Sequence, residues 1–251
     1  MNLELEGKAV LVTGGSKGIG QAIAYAFLEE GAKVGIVGRD LRDLEAAQKD
    51  GIEIFQGDVT NGEDRDRVMS AFLEKFGTID VLVNNAGGSN GSTVMETNMA
   101  QFEEAIHLNF LSAVDLSRRA AEVMITNAEG GAIINISSIF GRESGGKPTY
   151  NASKAALISF TKSFGDEMIS KGVRVNGVAP GSILHETGNW QKRLEQDPEK
   201  INAFVEEHIS AGRFGKVEEI ANVVVFLASE KASWVVGSTL NVDGGQSYSN
   251  F

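Results

Sequence analysis

The sequence contains no cysteine, which excludes disulfides, thiolate metal sites and a cysteine nucleophile. Only three histidines are present. Neither His185 nor His208 has supporting carboxylates at a metal-ligand spacing, so both read as pocket or surface residues and no metal is expected. Three prolines stand against 30 glycines in 251 residues, a balance that suits tight turns and close backbone approaches rather than a disordered linker. No apolar run approaches a bilayer span. Met1 to Gly7 carries Glu4 and Glu6 where a secretory signal needs basic and then apolar residues, so a soluble, cytoplasmic protein is expected. Basic residues are in deficit, 23 against 34 acidic ones for a net charge of −11, which repels phosphate backbones and anionic headgroups. Nucleic acid and membrane are therefore not expected partners. Chemistry must come from oxygens, amines or a cofactor.

Seven short apolar runs recur along the chain: Ala9 to Val12, Val34 to Val37, Ile52 to Phe55, Val81 to Val83, Ala132 to Ile136, Val173 to Val178 and Thr239 to Val242. They read as strands. Between them lie helical stretches: Ile19 to Glu30, Leu41 to Lys49, Asp64 to Phe76, Met99 to Ala128, Tyr150 to Lys171 and Glu218 to Ala228. Alternation with near-continuous apolar strands predicts one α/β domain over residues 1–251, a doubly wound parallel sheet of about seven strands with helices on both faces. Ligands then belong beyond the carboxyl ends of the strands. The segment 182–215 is longer than an ordinary connection and is expected to form a lid, with a helix around Lys200 to Ser210.

After the first strand come Thr13, Gly14, Gly15, Ser16, Lys17, Gly18, Ile19 and Gly20, then a helix. A glycine turn here lets the backbone approach a pyrophosphate, whose charge the amides of a helix N-terminus can receive. The spacing Gly14, Gly18, Gly20, together with Asn84, Asn85, Ala86 and Gly87 after the fourth strand, resembles the short-chain dehydrogenase/reductase family. The resemblance spans nearly the whole chain and implies a Rossmann fold and a nicotinamide cofactor. It places Thr13, Gly14, Gly18 and Gly20 in the cofactor turn, with Asp58 and Val59 flanking the adenine. Asn85, Ala86 and Gly87 would then line the central groove. For Asp58 a second reading stays open, a helix cap ahead of Asn61. At the end of the second strand the family's NAD-specific members carry Asp where this chain has Gly38. Arg39 can offer a planar fork to a 2′-phosphate, and Lys17 a second charge. NADP(H) is therefore expected over NAD(H), with Ser16, Lys17, Ile19 and Arg39 among the contacts. Asp40 reads as the cap of the helix from Leu41.

Tyr150 and Lys154 lie one turn apart on one helix face, and Ser138 closes the fifth strand twelve residues before Tyr150. All three converge on the carboxyl edge where the glycine turn lies. Reducing a ketone by hydride transfer leaves an alkoxide to be protonated. A tyrosine with a pKa near 10 needs help to act in the reverse direction, and Lys154 and an oxidised nicotinamide would both favour its phenolate. Ser138 would bond the developing oxyanion. The resemblance assigns these roles to Ser138, Tyr150 and Lys154, and adds Asn109 as the residue holding a proton-relay water. The family's S-x-x-G pattern matches Ser138 and Gly141, leaving Ser137 structural. Pro180 and Gly181 match the nicotinamide-side turn, and Ile183 would present backbone groups to the carboxamide. His185 stands where the family has Thr, with Thr187 a possible substitute.

The substrate pocket is expected between Gly88 to Asn90, the Ser138 to Tyr150 loop and the segment from Ser182, with Phe140, Trp190 and Phe204 in its lining. A small carbonyl or secondary alcohol is the expected substrate. The chain is also similar to 3-oxoacyl-acyl-carrier-protein reductases. Lys171 suits an acidic carrier, whereas Glu129 and Ala132 occupy positions where basic residues would help. A non-catalytic dinucleotide sensor is the alternative of another class. The helices Met99 to Ala128 and Tyr150 to Lys171, rich in small and apolar residues such as Ala152, Ala155, Ala156, Phe160 and Phe164, and the segment from Ser238 form interfaces in the family. A homotetramer is therefore expected, with a dimer as the alternative.

Overall fold

A computed structural model describes residues 2–250. Seven strands alternate with helices in it: β1 (Ala9–Thr13), β2 (Lys33–Gly38), β3 (Ile52–Gln56), β4 (Val81–Asn84), β5 (Gly131–Ile136), β6 (Val173–Pro180) and β7 (Thr239–Val242). All seven apolar runs of the sequence become strands. They form one sheet in the order β3-β2-β1-β4-β5-β6-β7, and every pairing is parallel. The inner strands are buried on both faces, so apolar residues dominate them and side-chain alternation only sorts these between layers, whereas the edge strands β3 and β7 are partly exposed. In β1, Val10 and Val12 enter one core and Ala9 and Leu11 the other. In β5, Ile134 and Ile136 face the first core and Ile133 the second.

The first layer holds α1 (Gly18–Glu29), α2 (Leu41–Ala47) and α9 (Val217–Ala228), whose Ile23, Phe27, Leu44, Ile220 and Val224 fill that core. The second holds α3 (Gly62–Phe76), α5 (Ser112–Met124) and α6 (Pro148–Met168), contributing Phe72, Leu116, Met124, Phe164 and Met168. Side chains start several of these helices. Asp40 Oδ1 accepts the N–H groups of Arg42 at 2.9 Å and Asp43 at 3.3 Å, and Asn61 Oδ1 accepts that of Glu63 at 2.9 Å, satisfying donors a helix end otherwise leaves orphaned. Asn61, not Asp58, is thus the cap of α3.

Two regions differ from the sequence expectation. The stretch Met99 to Ala128 is not one α-helix: α4 (Met99–Ile106) and α5 are joined by a wider π turn at His107–Leu111. The segment 182–215 carries two helices instead of one, α7 (Asn189–Gln196) and α8 (Pro198–His208). Its ends are tied together, since Leu184 N–H donates to the Gly215 carbonyl at 2.9 Å and Gly215 N–H to that of Ser182 at 3.0 Å. No helix among the described residues is long and apolar enough to cross a membrane.

Candidate active site

β1 has β2 on one side and β4 on the other, so the chain leaves β1 and β4 in opposite directions and opens a crevice at their carboxyl ends. The glycine turn occupies that crevice. Gly14 has φ +64°, and a Cβ on Gly20 would stand 2.2 Å from the Gly14 carbonyl oxygen, so the turn closes only without side chains there. Unlike α2 and α3, α1 begins without a side-chain cap and without an acidic residue in its first turn. Its orphan amides and positive dipole end suit an anion. Thr13 and Asn85 fasten the turn to the segment after β4. Thr13 Oγ1 accepts from the Asn85 and Ala86 N–H groups, both at 3.0 Å, and Asn85 Nδ2 donates to the Thr13 and Gly14 carbonyls at 3.0 and 3.1 Å. These two residues shape the groove from within.

Beside the turn, Lys17 Nζ lies 2.5 Å from Asp43 Oδ2. A Cβ on Gly38 would lie 3.4 Å from Ser16 Oγ. Arg39 forms no ion pair among the described residues, whereas Asp40 is turned to its capping role. A hydroxyl, a paired ammonium and an unpaired guanidinium thus surround the end of β2, a donor set that fits a phosphate monoester. Further along, Val37, Val59, Val68 and Leu116, together with Asp58, Asp64 and Arg65, line a shallow hollow. Its apolar residues suit the face of a flat heteroaromatic base, and the Asp58 carboxylate can accept from an exocyclic amine. Asp58 Oδ1 accepts from Thr60 N–H at 2.9 Å and Thr60 Oγ1 at 2.7 Å, which fixes its direction.

Ser138 ends the run from β5 and is buried, with Oγ accepting the Phe140 N–H at 3.2 Å. Its hydroxyl lies near enough to the phenol of Tyr150 to favour the phenolate. Pro148 starts α6, its fixed φ suited to a first helical position, and Tyr150 follows in the same turn. Lys154, one turn on, is buried and donates Nζ to the Ile136 carbonyl at 2.7 Å, with Nζ 5.6 Å from the Tyr150 ring centre. Burial lowers the Lys154 pKa to about 8. Burial raises that of the Tyr150 phenol, against a smaller lowering from Ser138. Ser137 Oγ donates to the Val178 carbonyl at 2.9 Å, a bond within the sheet.

Asn109 sits in the π turn. Its Nδ2 donates to the carbonyls of Gly88 and Ala105, both at 2.9 Å, and its Oδ1 accepts the Gly88 N–H at 2.9 Å. A Cβ on Gly87 would lie 2.8 Å from Asn109 Oδ1 and 3.3 Å from Lys154 Nζ. Gly87, Asn109 and Lys154 therefore meet behind the Tyr150 phenol. Wide turns of this kind recur at functional sites. Two of the three bonds of this amide hold Gly88 in the segment after β4, and the third returns to Ala105 of α4.

Pro180 ends β6, and Gly181 N–H donates to the Val242 carbonyl at 3.1 Å. Ile183 bridges Gly215 through bonds made by its neighbours. His185 lies with its ring against the glycine turn: a Cβ on Gly18 would approach its Cε1 to 2.7 Å and both ring nitrogens to 3.0 Å. Burial lowers its pKa, and Thr187 Oγ1 is 3.3 Å from its Nδ1. Trp190 stacks on Phe204 at 4.8 Å and tilts against Phe214 at 5.3 Å. Of the aromatics expected to line the pocket, Trp190 and Phe204 thus make a small core that holds α7 to α8, whereas Phe140 lies against Gly145 and Gly146. His208 packs edge-on against Phe204 at 4.8 Å. Sequence reasoning had not singled out Glu143, Thr149 or Gln246. Thr149 Oγ1 donates to the Asn90 carbonyl at 2.8 Å and Gln246 Oε1 accepts the Ser182 N–H at 2.7 Å, contacts between residues about sixty positions apart that no local pattern encodes.

The parallel sheet, with a glycine turn at its switch point, defines the doubly wound Rossmann class. Within it, the chain belongs to the short-chain dehydrogenase/reductase family of oxidoreductases. A family model described as enoyl-(acyl carrier protein) reductase matches residues 14–247. The chain is 35% identical over 250 residues to a 3-oxoacyl-(acyl-carrier-protein) reductase, FabG, of Thermotoga maritima, covering 97% of this chain and 99% of that one. It is 34% identical over 255 residues to a sorbitol dehydrogenase of Cereibacter sphaeroides, covering 97% and 98%. Among solved structures, L-sorbose reductase from Gluconobacter frateurii, complexed with NADPH and L-sorbose, superposes with a TM-score of 0.93 at 34% identity, covering 99% of this chain and 100% of that one.

Proposed function

We propose that the protein is an NADP(H)-dependent oxidoreductase that moves a hydride between nicotinamide and a carbonyl or secondary alcohol, with Tyr150 as the general acid and base. The observation that carries this reading is the buried Ser138 beside Tyr150 with buried Lys154 one turn away, at the sheet edge that also carries the uncapped end of α1. Residues 1–251 act as one domain, and 182–215 is its substrate-side insertion. The relative bound to NADPH and L-sorbose supports the cofactor and the substrate class.

The reduced nicotinamide supplies the hydride. The chain's residues do the rest. The α1 amides from Gly18 to Gly20 receive the diphosphate, and Ser16, Lys17 and Arg39 receive the 2′-phosphate. Asp58 and Val59 flank the adenine, and the groove from Asn85 to Gly87 and the turn of Pro180, Gly181 and Ile183 hold the nicotinamide half. Ser138 donates to the substrate oxygen and Tyr150 gives it a proton, so hydride at carbon and proton at oxygen complete the alcohol. A raised phenol pKa keeps that proton in place at neutral pH. Lys154 places a positive charge behind the phenol, and Asn109 holds the wall formed by Gly88.

Reduction of 3-oxoacyl thioesters is the second reading, favoured by the similarity to the Thermotoga reductase. The sequence objection to it loses its force. Ala132 is buried in β5, and Glu129 precedes that strand at the edge opposite the site, where it pairs with Lys8. Neither position faces the cleft. Apolar side chains at the surface, Leu111, Trp234, Leu240 and Tyr248, together with exposed Ala152 and Ala155 on α6, support a homotetramer of a cytoplasmic enzyme, and light scattering tests the assembly. The deciding assay follows NADPH oxidation with an acetoacetyl thioester, a ketohexose and a cyclic ketone in parallel. Turnover of the sugar or cyclic ketone supports the general carbonyl reductase. Turnover of the thioester alone moves the assignment to acyl reduction. NADPH binding without turnover of any of them identifies a dinucleotide sensor.

A further inference from the structure

The C-terminal segment is hydrogen-bonded to both walls of the cleft. On one side, in the loop between Ser138 and Tyr150, Glu143 Oε2 accepts from the Ser247 hydroxyl at 3.1 Å, the Tyr248 N–H at 3.0 Å and the Ser249 N–H at 3.1 Å. Its neighbour Arg142 donates to the Thr239 carbonyl of β7 at 2.5 Å. On the other side, Gln246 Oε1 accepts the Ser182 N–H at 2.7 Å, where the segment 182–215 begins. The carbonyls of Gly244 and Gly245 accept from Ala211 N–H and Ser210 Oγ, both at 2.9 Å, just beyond α8. Between the two sets of contacts the segment is braced on itself, as Asp243 accepts from the N–H groups of Gly245 at 3.0 Å and Ser247 at 2.9 Å.

We propose that Glu143 is a positioning residue for the reaction proposed above, holding residues 243–249 as a strap between the loop of Ser138 and the segment 182–215. Three donors converge on one carboxylate oxygen, and ionised acceptors make stronger hydrogen bonds than neutral ones. Without that oxygen the N–H groups of Tyr248 and Ser249 lose their shared acceptor, and Gln246, next to Ser247, is no longer held against Ser182. The two walls then move independently. The strap touches neither the glycine turn nor the end of β2 but packs against Gly181 and Ser182, so it acts on the placement of the substrate and of the nicotinamide half and leaves the adenine half alone.

The test compares Glu143→Ala with Glu143→Gln, which keeps an acceptor oxygen at the same reach. Amide hydrogen exchange is followed along the chain, affinity for 2′,5′-ADP, which lacks the nicotinamide half, by calorimetry, and KM and kcat with whichever carbonyl the protein reduces. In Glu143→Ala, exchange at 182–184 and 209–212 is expected to rise at least fivefold, and KM at least fivefold with kcat within twofold and 2′,5′-ADP affinity unchanged. Glu143→Gln is expected to recover most of both effects. Gln246→Ala, which cuts the other end of the strap with Glu143 intact, is expected to reproduce the loosening at 182–184 and keeps the test decisive if Glu143→Ala misfolds. Faster exchange confined to 247–249, or an unchanged KM, overturns the proposal. A protein that reduces no carbonyl overturns the oxidoreductase reading instead, and the exchange pattern still decides the strap.

Discussion

The ammonium of Lys154 donates to the carbonyl of Ile136, the last residue of β5, at 2.7 Å and is buried there. The bond joins α6 to the sheet at the point where Tyr150 must be held. Its consequence is a pH-dependent stability. Burial lowers this pKa from an ordinary 10.5 to about 8, so between these values the unfolded chain keeps a proton that the folded chain has released. Stability therefore rises with pH across that window, by at most about 3 kcal/mol. Below it both states are charged and the slope vanishes. The Tyr150 phenol, raised by burial, acts in the opposite sense only at higher pH. Urea midpoints between pH 8 and 10 should climb for the natural sequence and flatten for Lys154→Met. Parallel curves for the two would contradict the assignment.

Removing the phenolic hydroxyl separates binding from chemistry. Tyr150→Phe keeps the ring beside Ser138, so NADPH titration should be nearly unchanged while turnover falls roughly 10²- to 10⁴-fold. The raised phenol pKa adds a second expectation. Carbonyl reduction by the natural protein should stay level through neutral pH and decline only in the alkaline range, as the phenol gives up its proton. A rate within a few-fold of normal in the Phe variant would remove Tyr150 from the proton path.

Cofactor choice should rest more on Arg39 than on Lys17. The guanidinium has no ionic partner among the described residues, whereas Lys17 is already shared with Asp43 at 2.5 Å. A charged hydrogen-bonded contact contributes about 1.5–3 kcal/mol. Arg39→Ala should therefore weaken NADPH roughly 10- to 100-fold and leave NADH within twofold, and Lys17→Ala should cost less. Calorimetry with 2′,5′-ADP and 5′-AMP reads the same difference without chemistry. Equal losses for both nucleotides would place Arg39 outside the 2′-phosphate site.

What the sequence reveals here follows from how local each feature is. The strands are legible because a sheet covered on both faces leaves a continuous apolar run in each strand. The glycine turn and the pair of Tyr150 and Lys154 are legible because their spacing is short. α7 escapes because it is short and none of its residues is buried, so its apolar face consists of Trp190 and Leu194 alone. The π turn at Asn109 escapes because it depends on bonds to Gly88, twenty-one residues away. His185 against Gly18 and Glu143 against the C-terminal segment are tertiary contacts between loops. The reading of Ala132 as a docking position failed for a related reason: charge arguments hold only for surface residues, and Ala132 lies inside the sheet.

At the opposite edge of the sheet, Arg174 of β6 provides a stability test that leaves the site untouched. Its buried guanidinium donates to the carbonyls of Leu227 at 2.6 Å, Ala228 at 2.9 Å, Ser229 at 3.0 Å and Ala232 at 3.3 Å. Leu227 and Ala228 are carbonyls that the end of α9 leaves without helical partners, whereas those of Ser229 and Ala232 also accept the N–H groups of Ala232 and Val235; a positive charge there also opposes the negative end of the helix dipole. Arg174→Met fills the space but strands the buried carbonyls of Leu227 and Ala228, each an expensive loss. The expected destabilisation is about 3 kcal/mol, or roughly 6–12 °C in Tm for a chain of this size. Arg174→Lys should recover only part, because a single ammonium cannot serve four carbonyls spread along a planar fork. NADPH affinity should be unchanged in both variants. A Tm within 2 °C of the natural protein for Arg174→Met would mean that water satisfies these carbonyls as well as the guanidinium does.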